Sequence, residues 1–352
     1  MLVEVRRGGV VESRHRGHIV QVGTDGHVAY QVGDADVLVN LRSSVKPFTL
    51  IALIEGGAAD AFALTPPELA LMSGSHSGED LHVRTLQAVF RRANLSQSLL
   101  ACGTEGVPLD AATAARLARD GEQPSPVRHM CSGHHAASML LSRHMGWDIA
   151  TYWHPDHPSQ AVARDAVARV FGVRMADLRL GVDGCGVQTF AFPLVDVARA
   201  YALLADPQLV APDLARRKLA PALTRVRDAM MAAPEMVGGT RERLDTVLMK
   251  ARPGHIVSKG GNEALSAIGL LAGARGKDSG PGGVAVKIED GDGRGRASHA
   301  ATVETLAQLG VLDDRALRML AHYHRPPALD PRGKVVGESV AAFSLAPISE
   351  RF

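Results

Sequence analysis

Arg42-Ser43-Ser44-Val45-Lys46-Pro47-Phe48-Thr49 is the stretch at which the character of the chain changes. Upstream, residues 2–6, 9–14, 18–23 and 27–32 carry β-prone side chains, punctuated as hairpins by Gly8-Gly9 and Thr24-Asp25-Gly26. Downstream the pattern becomes helical. Proline is tolerated in a helix's first turn, where its missing N–H would find no intrahelical partner, so Pro47 predicts a helix from about Ser44 through Phe48 to Glu55. Residues three apart on a helix share a face, which offers Ser43 Oγ to Lys46 Nζ. A serine hydroxyl is a weak nucleophile until a base takes its proton, and lysine is that base only where burial or a nearby cation favours its neutral form. A capping serine beside a solvated lysine has the same spacing, so the pair alone does not decide the chemistry.

Working outward, Thr65-Pro66-Pro67-Glu68 combines a capping threonine, a first-turn proline and a glutamate that closes a capping box. Val83, Leu86 and Phe90 mark one face of a helix over residues 79–93, and Val162, Val167 and Val170 mark another between Pro158 and Gly172. Strands are predicted at 178–182 and 187–192, followed by helices at 195–205 and 212–232. β character returns at 255–258, 264–271 and 283–288, then helices at 297–309 and 314–322. Strands at both ends with helices between predict an α+β fold, an antiparallel sheet built from both termini carrying a mainly helical insertion. The sheet subdomain is expected over about residues 1–40 and 176–352 and the helical one over about 41–175, in a single catalytic unit with no linker or internal repeat.

The chain has 352 residues, 46% of them hydrophobic, which is ample for a large core. Lys+Arg number 39 against 37 Asp+Glu, a net charge of +2, and aromatic residues make up only 4%, so neither a basic field nor stacking platforms predict a nucleic-acid or membrane partner. No apolar run suggests a signal peptide or a spanning helix, and a cytoplasmic location is expected. Cys102, Cys131 and Cys185 are too few for a disulfide framework and read as core residues, ligands or a nucleophile.

Three other clusters carry chemistry. Ser73-Gly74-Ser75-His76-Ser77-Gly78-Glu79 sets hydrogen-bonding side chains among glycines, which suits a ligand, although Ser77 as the N-cap of the next helix explains the same pattern. His255-Ile256-Val257-Ser258-Lys259-Gly260-Gly261 reads as a strand ending in a lysine, either lining a pocket or simply solvated. Cys131-Ser132-Gly133-His134-His135 and Asp183-Gly184-Cys185-Gly186 bring two thiols and an imidazole, a credible Zn²⁺ set of Cys131, His134 and Cys185 or, equally, two buried unligated cysteines. His154, Asp156 and His157 read as turn and helix-start chemistry.

Taken in order, Glu12-Ser13-Arg14-His15-Arg16-Gly17, the Arg42–Phe48 stretch, Ser75-His76-Ser77-Gly78-Glu79, Cys131-Ser132-Gly133, Gly181-Val182-Asp183-Gly184-Cys185-Gly186 and Ser258-Lys259-Gly260-Gly261-Asn262-Glu263 resemble the bacterial L-asparaginase II family of the Rhizobium etli type. The likeness spans nearly the whole chain. It implies a serine β-lactamase/glutaminase-like fold, hydrolysis of L-asparagine to aspartate and ammonia, and a homodimer. It also implies Ser43 as nucleophile with Lys46 as its base, Ser75 and Lys259 as a second pair, and Asp183 as a contact to the substrate amine. Arg42 and His76 stand beside these as candidate substrate contacts, and Cys131 and Cys185 match metal-binding cysteines. The family's Cys-Ser-Gly-Lys-His has a lysine where this chain has His134, and imidazole is the commoner zinc ligand. Competing readings are a penicillin-recognising hydrolase of the same fold, a thiol enzyme using Cys131 or Cys185 with His134 or His135, and an inactive amino-acid-binding protein.

Overall fold

A computed structural model describes residues 1–105, 107–293 and 295–348, in two units that divide the chain between Ser44 and Val45. The first holds residues up to Ser44, Phe192–Pro212 and the chain from Val247 onward; the second holds Val45–Ala191 and Asp213–Thr246. The helical unit therefore runs further than the residue 175 expected of it and takes back the segment before Val247. Among the described residues no helix is long and apolar enough to cross a membrane.

In the first unit the predicted strands form within a residue or two of their expected ends, as local alternation allows. They make two antiparallel sheets, not one. Val28–Val32, Gly17–Val22, Gly282–Ile288, Leu265–Leu270 and Ile256–Ser258 lie side by side in that order. The termini build a separate four-stranded sheet in which Val3–Arg7 is flanked by Val10–His15 and Val335–Ala341, with Val3 opposite both His15 and Ala341. The C-terminal strands Pro327–Leu329 and Val335–Ala341 escaped the sequence reading, because the first has only three residues and the second, half-buried along most of its seven, shows no apolar alternation.

The helix Leu194–Ala205 is apolar on nearly every side and lies directly on the five-stranded sheet. Close approach is possible because the sheet presents glycines beneath it. A Cβ on Gly283 would stand 1.9 Å from Ala198 O and one on Gly269 2.6 Å from Tyr201 O. This packing brings the Tyr201 side chain, fully buried, into the unit's interior.

The second unit is helical around Pro66–Ser73, whose capping box forms as predicted, the Thr65 N–H donating to Glu68 Oε2 at 2.8 Å. It packs against Ala220–Ala232 and against Ser132–Met145, where a Cβ on Gly133 would meet Leu71 O at 2.3 Å. The single helix expected over residues 212–232 is two, Leu214–Arg217 and Ala220–Ala232. The helix expected from Ser44 to Glu55 is likewise broken. A 3₁₀ turn over Arg42–Val45 leads into Lys46–Thr49, then Ile51–Glu55.

Candidate active site

The unit boundary falls inside the Ser43–Lys46 turn, and each unit carries part of the candidate set. In the first, Arg42 takes φ 48°, a left-handed conformation costly for a side chain of its size, and starts the tight turn that carries Ser43. The turn is closed by Ser44, whose N–H and hydroxyl both donate to Leu41 O, at 3.0 and 2.7 Å. Ser43 itself is buried. Lys259, also buried, follows the strand Ile256–Ser258, and its Nζ donates to Gly260 O.

Two contacts bring these segments together. Tyr201 Oη donates to Ser44 O at 2.7 Å and reaches Lys259 O at 3.2 Å, and Gly261 passes Leu41 so closely that a Cβ there would stand 2.4 Å from its carbonyl oxygen. The left-handed residues of the following turn are Glu263 and Ala264, at φ 60° and 57°. Gly261 is thus needed for its small size, while the strain sits on side chains that ordinarily avoid it.

In the second unit Lys46 is buried, and its Nζ donates to Gly74 O and Ser75 Oγ, both at 3.0 Å, and to Cys131 Sγ at 3.2 Å. Lys46 and Ser75, 29 residues apart, are therefore in direct contact. Burial holds His134 down to about 4 and His135 to about 3, and with the neighbouring His82 ring it holds His76 well below the usual range.

His76 is bonded within the protein at both ring nitrogens. Its Nδ1 accepts from the Gly78 N–H at 3.1 Å, its Nε2 meets Ser132 Oγ at 2.9 Å, and its ring stacks on His82 at 4.7 Å, so both nitrogens serve the loop. Ser77 is not the N-cap of Asp80–Arg92. Glu79 holds that position, and Ser77 Oγ donates to Glu79 Oε1 at 2.7 Å.

Asp183 opens a tight corner in which Gly184 N–H donates to its carboxylate at 2.7 Å and Asp183 N–H donates to Val187 O at 2.8 Å. Within this corner the Cys185 thiol reaches Cys131. Its hydrogen bond, aided by Lys46, keeps the Cys131 thiol well below the usual range against the cost of burial, while the same bond pushes Cys185 up.

A zinc centre needs three or four donors. The two thiols meet, but His134 lines a narrow cavity with Thr49, Leu53, Leu141 and Gln188, and among the described residues no three His, Cys, Asp or Glu side chains come together as a metal-binding group. The residues as placed fit two positions of the expected zinc set and not its third.

The Ser75 loop has partners that the sequence reading missed, in Gly238-Gly239-Thr240-Arg241-Glu242-Arg243. Arg243 donates to Ser75 O at 2.7 Å, and Thr240 binds the Glu79 carboxylate. The paired glycines and alternating charges were the only signal of it.

Residues 3–341 match the family model for L-asparaginase II, which makes the chain an amidohydrolase acting on a small molecule. It belongs to the L-asparaginase II family. Among solved structures it is distantly similar to a probable glutaminase from Bacillus subtilis complexed with 6-diazo-5-oxo-L-norleucine, at 11% identity and TM-score 0.41 over 86% of this chain and 87% of that one. It is also similar to Mglu in its tris and glutamate form, at 16% identity and TM-score 0.38 over 89% of this chain and 64% of that one. No curated protein matches the chain.

Proposed function

We propose that the protein hydrolyses the side-chain amide of L-asparagine to L-aspartate and ammonia, with Ser43 as the nucleophile. The observation that carries the reading is the buried Lys46 Nζ at 3.0 Å from Ser75 Oγ, three residues along the chain from a buried Ser43. A lysine held by a second hydroxyl in a desolvated setting is the arrangement a serine nucleophile needs for its base.

In this mechanism neutral Lys46 takes the Ser43 proton as Oγ adds to the amide carbon. Backbone N–H groups of the glycine-rich segments receive the developing oxyanion. The amide nitrogen leaves as ammonia with the proton that Lys46 returns, and water, activated by the same base, cleaves the Ser43 ester to aspartate. Ser75 relays protons at Lys46, and Lys259, tied through Tyr201 to the backbone beside Ser43, supplies positive charge. Asp183 receives the substrate amine and Arg42 its carboxylate. No step runs through zinc. A homodimer in the cytoplasm completes the proposal, and size-exclusion chromatography checks the dimer.

The test is ammonia release from L-asparagine and L-glutamine side by side. Clear release from asparagine, lost by about 10⁴- to 10⁶-fold in kcat with Ser43→Ala, is the expected result. A variant keeping a third of wild-type turnover would remove Ser43 from the nucleophile's role.

A further inference from the structure

We infer that Glu79 is a positioning residue for the amidohydrolase chemistry, acting through a strap, Gly238–Arg243, that fixes Ser75 against Lys46. The inference rests on the role proposed above for Ser75.

Ser75 is held at three points. Its N–H donates to Val237 O at 2.8 Å, its carbonyl accepts from Arg243 at 2.7 Å, and its hydroxyl meets Lys46. Two of these three partners come from the segment that ends in the strap. The strap is in turn fastened to the far end of the same loop. Glu79 Oε1 accepts from the Thr240 N–H at 2.7 Å and from Ser77 Oγ at 2.7 Å, while Oε2 accepts from Thr240 Oγ1 at 2.5 Å and lies 3.3 Å from Arg241. Arg241 continues to Asp110 through two bonds of 2.9 and 2.6 Å, and the Asp110 N–H returns to Ser77 O at 2.9 Å. The loop, the strap and Asp110 thus close a ring of hydrogen bonds around Ser75–Glu79.

Chain conformation shows what this closure requires. A Cβ at Gly239, which sits at φ 147°, would stand 2.2 Å from Ser77 Oγ and 2.7 Å from Glu79 Oε1, so only glycine brings the strap this near. Glu242 takes φ 52°, strain that persists only where neighbouring bonds over-determine the backbone. Glu79 is buried and fully committed to these donors, which removes it from proton transfer and leaves it the task of holding the loop.

The test pairs kinetics with amide exchange in Glu79→Ala and Thr240→Val, read beside Ser75→Ala. Glu79→Ala is expected to lower kcat about 10- to 100-fold with KM moving less than about threefold, and Thr240→Val to follow it more weakly, since misplacing a reacting group by about 1 Å costs on the order of 10² in rate. The Ser75 and His76 amides should exchange at least about tenfold faster in both variants while melting stays above the assay temperature. Thr240→Val keeps shape and volume, so it answers the question if Glu79→Ala does not fold. Unchanged exchange, or faster exchange with unchanged kcat, overturns the inference, and so does a raised KM with kcat intact, which would make the strap a substrate contact. Failure of the functional reading looks different. In that case Ser75→Ala retains wild-type turnover, or the wild type releases no ammonia, whereas the exchange measurement still decides whether Glu79 fastens the loop.

Discussion

Gly74→Ala isolates the geometry of Lys46 from its chemistry. Gly74 has φ −90° and ψ 175°, a conformation open to any residue, so alanine there meets no backbone penalty. The obstacle is space. The new Cβ would stand 2.6 Å from Val237 O, 2.9 Å from Val237 Cα and 3.0 Å from Met236 O, all backbone atoms that cannot swing aside. The shortest falls about 0.8 Å below the 3.4 Å at which ordinary contact begins, so the Gly74-Ser75 segment has to retreat by about that distance. Gly74 O and Ser75 Oγ each lie 3.0 Å from Lys46 Nζ, and a retreat of that size along either bond takes it beyond hydrogen-bond reach.

Two magnitudes follow, and they separate. Overpacking of this kind costs about 1–3 kcal/mol of stability, a melting shift of several degrees that leaves the protein folded at 25 °C. Turnover should fall on the order of 10²-fold, because Ser75 is displaced by nearly 1 Å from the base. Ammonia release at saturating asparagine, with a thermal melt on the same sample, measures both. A Gly74→Ala protein that melts several degrees lower yet keeps wild-type kcat would refute the claim that the Lys46–Ser75 contact matters to the reaction.

Other perturbations act elsewhere in the two units. Tyr201→Phe removes the one hydroxyl shared by Ser44 O and Lys259 O, and by leaving buried acceptors short of a donor it should cost about 1–3 kcal/mol in chemical denaturation; a cost under about 0.3 kcal/mol would mean the bonds are replaced. Asp110 is held well below the usual carboxylate range, chiefly by the Arg241 hydrogen bonds and then by Thr113 against the cost of burial. A depressed carboxyl stabilises the fold above its unfolded pKa of about 3.9 and loses that contribution as pH falls through its folded value, so the melting difference between wild type and Asp110→Asn should be large at pH 7 and shrink towards pH 3. A constant difference across that range would contradict the assignment. Dialysis against a chelator should leave kcat within about threefold of its starting value, since no step of the mechanism uses a metal; a loss of tenfold or more that zinc restores would place a metal in the reaction.

What could be read from the sequence was what depends on neighbours along the chain. The alternation of the first four strands, the Thr65–Glu68 capping box and the faces of the helices at Asp80–Arg92 and Pro158–Phe171 are set within one or two turns, and they appear as expected. Ser77 was misread because Ser, then Glu two residues later, fits an N-cap equally well; the outcome turned on Thr240, which comes 161 residues after Glu79 and offers that carboxylate two donors. The partners of His76 are hidden from the sequence for the same reason, since only the fold brings Ser132 to one side of its ring and His82 to its face. Tyr201 sits in a helix apolar on nearly all sides, where nothing local distinguishes a hydroxyl aimed at two carbonyls from a core side chain.

The cysteines show most clearly how burial and hydrogen bonding meet around Lys46. Of the imidazoles buried in the Lys46 unit, His76, His82, His134 and His135 are each kept by burial towards the neutral form. Glu79 and Asp110 are already matched, by Thr240, Ser77 and Arg241. Cys131, whose thiol Cys185 and Lys46 draw towards the thiolate, accepts a hydrogen bond from Lys46 Nζ at 3.2 Å. A buried amine without partners would be expensive, and the Gly74 carbonyl, the Ser75 hydroxyl and the Cys131 sulfur together give its hydrogens acceptors that lower that cost. The motif Cys131-Ser132-Gly133 and the corner at Cys185 then have a reason to accompany Ser43-Ser44-Val45-Lys46 that follows from hydrogen bonding and burial: they hold Lys46 in the interior, directed at Ser75.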